Sequence, residues 1–403
     1  MLLPLSYHIK TRDYFKQQEK TWQFFAADKI KEEQLTQFKT EVLKNTYKFD
    51  PVADEAIYQK VDFAREKLGL QPIPVTVYQA QYTDEINASI SFLNKEAHIV
   101  FSGRIIQLLD STELLAVIAH ELTHIKLYTL LNEELEITDR IITAIANNHN
   151  SDAAYYETAR IFKLYTEIFC DRGAYTVVEN TDAVITSLIK IVTGLEKVNA
   201  ASYLKQAEEI FINDKTTQSV NITHPENFIR ARAIQLWHEQ KEAAEETIIK
   251  MIEGIFNLDQ LDIFKQKDLT DLTRRFLQLF LKPKWFQSTM VMAQAQQYFN
   301  NFSIDEKILL DEKIMNIINQ SNTSIKDYLA YVLLDFVLID PALEDIPAGW
   351  AFQFAEDIQI KEIYDAVIKK EMKLSDKKLQ QYKQKALASY YEVKEGQGEQ
   401  IYE

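Results

Sequence analysis

A mainly α-helical chain carrying one small antiparallel sheet (an α+β fold) is predicted by three features of the sequence. Apolar residues recur at helical spacing over most of the 403 positions. Runs of β-branched and aromatic residues are confined to one stretch, Val75 to Phe101. A strongly apolar helical run, Glu113 to Leu131, opens on a capping signal, Asp110 with Glu113 three positions on.

Taken in order, Thr11 to Leu68 reads as helices rich in Lys, Glu and Gln, with Tyr14, Phe15, Trp22, Phe24 and Phe25 as their apolar contacts. Gly69, Pro72 and Pro74 punctuate the chain. Strands are then expected at Val75 to Tyr78, Ala88 to Phe92 and Ala97 to Phe101. The polar tip Leu93-Asn94-Lys95-Glu96 turns the last two into a hairpin. After Gly103 comes the capped apolar helix, then a second long helix from Ser151 to about Glu179. Further helices are expected at Ala183 to Val198 and Ala200 to Phe211, and again after Pro225. From Glu242 to Tyr391 nearly everything reads as helix, cut by Pro283, Pro341 and Pro347. The expected organisation is an N-terminal helical segment 1–70, a core domain 71–241, an all-α domain 242–392 and a flexible tail 393–403.

A net charge of −15 argues against a nucleic-acid groove, which needs a basic face, and against an anionic membrane surface. Cys170 is the single cysteine, so no intrachain disulfide is available, as suits a reducing compartment. Leu2, Leu3 and Leu5 give way to charge too soon for a signal peptide. No charge-free stretch of membrane-spanning length is evident, the nearest being Tyr328 to Ile339 with Asp335 inside it. The expectation is a soluble, cytoplasmic protein with no membrane span.

The chemistry concentrates in His120-Glu121-Leu122-Thr123-His124, an H-E-x-x-H sequence inside the apolar helix. Residues four apart share a helix face, so both imidazoles can address one ion, and Glu121 lies close enough to take a proton from water held there. Leu114, Leu115, Val117, Ile118, Leu122, Ile125 and Leu127 make that helix apolar nearly all round. Burying two histidines and a glutamate in it is costly unless something pairs with them, and a metal accounts for all three together. A catalytic zinc takes three protein ligands and keeps one open position. Downstream candidates for the third are Glu133, Glu134, Glu136, His149, Asp152, Glu157, Glu167 and Asp171. The first three read as a solvated charged segment and His149 as a loop residue. Glu167 stands among apolar residues, with Asp171 one turn on. Two acids so placed repel unless each has a partner. Either zinc takes Glu167 and a ligand histidine takes Asp171, or Arg160, Lys163 or Arg172 pairs with them on a solvated face.

These residues resemble the gluzincin arrangement, and in detail the CAAX prenyl endopeptidase superfamily with its HtpX-like proteases. The matching features are Asn87-Ala88 on a strand, Ile99-Val100-Phe101-Ser102-Gly103 followed by Ile105 to Leu109, Glu113-Leu114 and Val117-Ile118-Ala119 before His120, Glu167-Ile168-Phe169-Cys170-Asp171-Arg172, and Thr223-His224-Pro225 with Arg230. Together they cover roughly Tyr78 to Leu236. The resemblance implies a zincin-like peptidase core with one zinc per chain, held by His120, His124 and Glu167. It implies Glu121 as general base, His224 as donor to the oxyanion, Asp171 orienting a ligand histidine, and Arg230 close to an acid of the site. For His224 a capping or surface role is the competing reading. A peptide or unfolded protein would bind extended, as a strand added to the edge Ala88, Ser89, Ile90, Ser91 and Phe92.

Two positions depart from the family. Thr123 stands where it has glycine, predicting looser packing of that helix, and Cys170 stands where it has a small alanine and offers a second possible ligand. His8, His98 and His238 have no partners at ligand spacing. The function expected is zinc-dependent endopeptidase, the alternative being a latent or inactive protease scaffold whose C-terminal helical domain holds a protein partner.

Overall fold

The computed structural model describes residues 2–27, 32–214 and 216–397, with side chains for 2–27, 36–214 and 216–394. The chain divides into two compact units, Met1–Gly254 and Ile255–Glu403.

The first unit opens with helices α1 (Ser6–Lys16), α2 (Glu19–Ala27) and α3 (Glu32–Asn45), strand β1 (Thr46–Lys48) and helix α4 (Glu55–Leu68). Strands β2 (Val75–Ala80), β3 (Asn87–Leu93) and β4 (Glu96–Ser102) follow. Their order in the sheet is β1-β2-β4-β3. The β3–β4 hairpin is antiparallel as expected, and Asn94 and Lys95 at its tip take the positive φ that a tight two-residue turn requires. The sheet is mixed, since β2 runs parallel to β4. β1, antiparallel to β2, lies within the stretch read as wholly helical. At three residues it is too short to show a period, and it forms only because β2 offers an edge.

Helices α5 (Ile105–Leu108) and α6 (Ser111–Thr129) come next. Asp110 caps α6 as the sequence predicts, its carboxylate accepting from the Thr112 and Glu113 amides while Glu113 accepts from the Asp110 amide. Leu131, Asn132 and Glu133 all adopt positive φ and end the helix sharply. The charged stretch beyond is α7 (Glu134–Ala146), amphipathic rather than solvated: Leu135, Ile141 and Ile142 are buried, and Glu134 binds Arg12 and Lys16 of α1. Among the described residues, one run, 111–146, is long and apolar enough by length and composition to cross a membrane. It is α6 and α7 taken across that turn, and charge at Glu113, Glu121, Lys126 and beyond hides it from a search for uncharged stretches.

Helix α8 (Ala153–Val178) is capped by Asp152 and packs along α6. Helices α9 (Thr181–Thr193), α10 (Ala200–Asn213), α11 (Asn227–Gln240) and α12 (Glu245–Glu253) complete the unit. α9 is shorter than the periodicity suggests because Gly194, left-handed at φ 70°, closes it. The main core joins β2 and β4 to α4, α6, α8 and α9 through residues such as Val77, Ile99, Phe101, Ile118 and Leu122.

The second unit is all helix: α13 (Ile263–Phe280), α14 (Thr289–Tyr298), α15 (Glu312–Gln320), α16 (Thr323–Val337), α17 (Ile346–Asp357), α18 (Lys361–Glu371) and α19 (Asp376–Gln397). It has its own core around Phe276, Phe280, Phe336, Trp350 and Phe354. Of the tail expected from 393, residues 393–397 continue α19 and 398–403 lie outside the described residues.

Candidate metal centre

α6 and α8 lie side by side in the core, and their facing polar residues form the site. His120 and His124 come from α6, Glu167 and Asp171 from α8. Glu167 is buried, with Oε2 3.4 Å from His120 Nε2 and Oε1 3.7 Å from His124 Nε2. His224, on the loop before α11, brings its Nε2 to 3.7 Å from Glu167 Oε1. Asp171 accepts from His120 Nδ1 at 3.0 Å and from Arg230 Nε and Nη2 at 2.8 and 2.6 Å. The two acids on one helix face are therefore not paired with Arg160, Lys163 or Arg172. Arg160 grips Glu157, and Arg172 stacks on Trp237 at 3.9 Å.

One acceptor remains unmatched. His120 gives its Nδ1 proton to Asp171, so in the neutral ring Nε2 is a lone pair, and it faces Glu167 Oε2. That buried oxygen has no hydrogen-bond partner, and Arg230 Nη2, an ion-pair partner 3.5 Å away, does not stand between it and the ring. Two acceptors facing each other require a cation or a proton between them. Burial lowers the His120 pKa, but the bond to Asp171 and the Glu167 carboxylate more than offset it and raise it to about 10. Without metal, a proton holds the place. Burial likewise works to raise Glu167, yet His120, Arg230 and His124 close by hold the carboxyl well below its usual range. His124, pulled down to about 4 by burial, is neutral and ready to ligate.

The donor set fits zinc. Bonds of about 2.0–2.1 Å in a tetrahedral site put ligand atoms about 3.3–3.4 Å apart, close to the separations found. The Cys170 thiol also lies within 4.8 Å of the histidine ligand atoms. Burial, with Glu167 and Asp171 nearby, pushes its pKa well above the ordinary value, so it is held as a thiol whereas ligation needs the thiolate. Glu167, already an anion, is the better third donor.

Glu121, His120, Glu167 and His224 line a cleft of about 890 Å³. Burial raises the Glu121 pKa to about 7. Ala88 and Asn87 lie on the same cleft, at the start of β3, which pairs only with β4 and is an edge of the sheet. Ser89, Ile90, Ser91 and Phe92 continue that edge. Thr123 does not loosen the helix contact: it is fully buried against Gly173 of α8, which has no side chain to meet it.

Residues 52–238 match the family described as peptidase family M48. This segment is similar to the metallopeptidases of family M48. It contains strands β2 to β4, α6, α8 and the His224 loop, all the elements that build the site. The plastoglobule-localized metallopeptidase 48, chloroplastic, of Arabidopsis thaliana is 28% identical over 199 residues, covering 44% of this chain and 56% of that protein. The chain thus spans about half the length of the curated relative it matches. No solved structure matches.

Three residues outside the motif matter to this segment in ways the sequence does not signal, Arg160 being expected only as a possible partner of Glu167 and Asp171. Gly173 admits Thr123, and its partner could be found only by knowing how α6 meets α8. Arg160 and Glu226 hold the loop that carries His224, a role their side chains alone do not signal.

Proposed function

We propose that the chain is a zinc-dependent endopeptidase acting on extended peptide or unfolded protein segments. The observation that carries this is the buried Glu167 Oε2, without a hydrogen-bond partner, 3.4 Å from His120 Nε2 on the wall of a cleft. His120, His124 and Glu167 would hold the zinc, which would supply a Lewis acid for a peptide carbonyl and ease deprotonation of the attacking water. Glu121, with a pKa near neutrality, takes that water's proton and passes it to the leaving amine. His224, on the solvent side of the cleft, donates to the carbonyl oxygen as negative charge develops there. Asp171, itself fixed by Arg230, keeps His120 in the tautomer that presents Nε2. The edge of β3 offers backbone groups to the substrate strand, so the grip is on the main chain and side-chain preference is modest.

Elemental analysis of the purified protein and cleavage of casein test the reading. We expect one zinc per chain, lost in Glu167→Ala. Glu121→Gln should keep the metal and lose hydrolysis. Full hydrolysis by Glu121→Gln would remove Glu121 from its role. Stoichiometric zinc with no cleavage by the wild type would favour a binding scaffold instead.

A further inference from the structure

Residues 219–221 of the His224 loop are held by polar contacts. Pro225, next to His224, is buried, but Val220 and Ile222 are 68% and 72% exposed, so hydrophobic burial does not fix the stretch before His224. Yet the three residues 219–221 make five hydrogen bonds. Arg160 Nη1 donates to the carbonyls of Ser219 at 3.3 Å and Asn221 at 3.0 Å. Glu226 Oε1 accepts from the amides of Val220 at 3.0 Å and Asn221 at 3.3 Å. The Ser219 amide donates to Met251 O at 2.9 Å. Arg160 is itself locked, both its Nε and Nη2 donating to Glu157 at 2.7 Å.

Arg160 lies two turns before Glu167 on the same face of α8. One rigid helix therefore carries the candidate ligand and the group that grips the loop. We propose that Arg160 and Glu226 are positioning residues: they clamp residues 219–221 and thereby fix His224 over the reaction centre. The clamp fixes the N-terminal side of His224, where the apolar side chains are exposed, as the buried Pro225 does its C-terminal side. A donor displaced by about an ångström loses much of its effect on a developing charge. This inference rests on the peptidase reading and on His224 acting in it.

The test compares full-length, zinc-loaded wild type, Arg160→Ala, Arg160→Lys, His224→Ala and Arg160→Ala/His224→Ala, using fluorescein-labelled casein. Arg160→Ala should lower kcat about ten- to a hundredfold with KM and zinc content unchanged. Arg160→Lys should recover part of the loss. The double variant should be no slower than His224→Ala, because the clamp acts through that histidine. Hydrogen exchange supplies a second measurement independent of turnover: the Val220 and Asn221 amides should be protected in the wild type and exposed in Glu226→Ala, with α8 unchanged. Full kcat in Arg160→Ala, a loss that multiplies with that of His224→Ala, or unprotected amides in the wild type would each overturn the clamp. Full kcat in His224→Ala, or no cleavage by the wild type, takes down the reading it rests on and the positioning role together; protection of the two amides would then mark the failure as one of chemistry rather than of loop structure.

Discussion

Thr123 and Gly173 meet where α6 crosses α8, beside both histidines. A Cβ at position 173 would come within 2.1 Å of Thr123 Oγ1 and 2.4 Å of its Cγ2. Neither can retreat, since Thr123 is fully buried and its hydroxyl donates to Ala119 O at 2.6 Å. Gly173→Ala should therefore destabilise the protein by about 1–3 kcal/mol, the usual cost of overpacking. Adding Thr123→Gly should recover part of that, less the cost of about 1 kcal/mol of a second helical glycine. Denaturant unfolding of the single and double variants checks both; an unshifted midpoint in Gly173→Ala would mean the helices separate freely here. At this scale the sequence was informative about chemistry and silent about fit. Glu167 and Asp171 could be picked out because acids inside an apolar helix need partners. Thr123 could be seen as unusual, but the glycine that accommodates it is on another helix, and no spacing rule connects the two. His8, His98 and His238 were left without roles, and each is a tethered structural residue, bonded to Thr166, Tyr78 and Tyr175 respectively.

His8 shows how one side chain docks an element. It is fully buried on α1, edge-on to Phe162 and Phe169 of α8. Its Nδ1 accepts from the Leu5 amide and its Nε2 meets the Thr166 hydroxyl, both at 3.3 Å, so the ring is held neutral. Burial, with Arg172 nearby, lowers its pKa from 6.5 to about 3. Between those values the unfolded chain binds a proton that the folded chain does not. Stability therefore falls as pH drops below 6.5, by up to about 1.4 kcal/mol per pH unit from this group. His8→Phe keeps an aromatic ring but cannot titrate. It should be less stable than the wild type at pH 7, having lost two hydrogen bonds, and the gap should narrow as pH falls from 6.5 towards 5. A gap constant with pH, measured by urea unfolding, would show that the ring is protonated in place. Elements announced by caps or long periods were legible: α6, α8 and the β3–β4 hairpin fall where expected. β1 was not, being specified by the edge it joins, nor was α7, whose acidic start disguises an apolar face.

At the scale of the molecule, each unit has an apolar core of its own, and the candidate ligands all come from the first. The helical character of the second was legible from its periodicity. Where the first unit ends was not, because α12 joins it by burying Ile248, Met251 and Ile252, with Glu253 accepting from Tyr165 of α8 and Met251 O from the Ser219 amide. An apolar helix face does not say in the sequence which core it joins. The placement of the ligands makes metal removal a test of organisation. A ligand that binds only the folded state stabilises it by RT ln(1 + [L]/Kd), about 4 kcal/mol at a thousandfold excess over Kd. That free energy reaches the amides whose opening breaks the site, namely those of α6 and α8. Chelation should therefore accelerate hydrogen exchange across α6 and α8 by up to about a thousandfold and leave the buried amides of α13, α16 and α17 at their original rates. Readdition of zinc should restore protection, and Glu167→Ala should show the fast pattern with or without the chelator. Equal acceleration in the second unit would mean that the two cores open as one; no change in α6 and α8 would mean that the two acceptors facing each other there are reconciled by a proton and not by a metal.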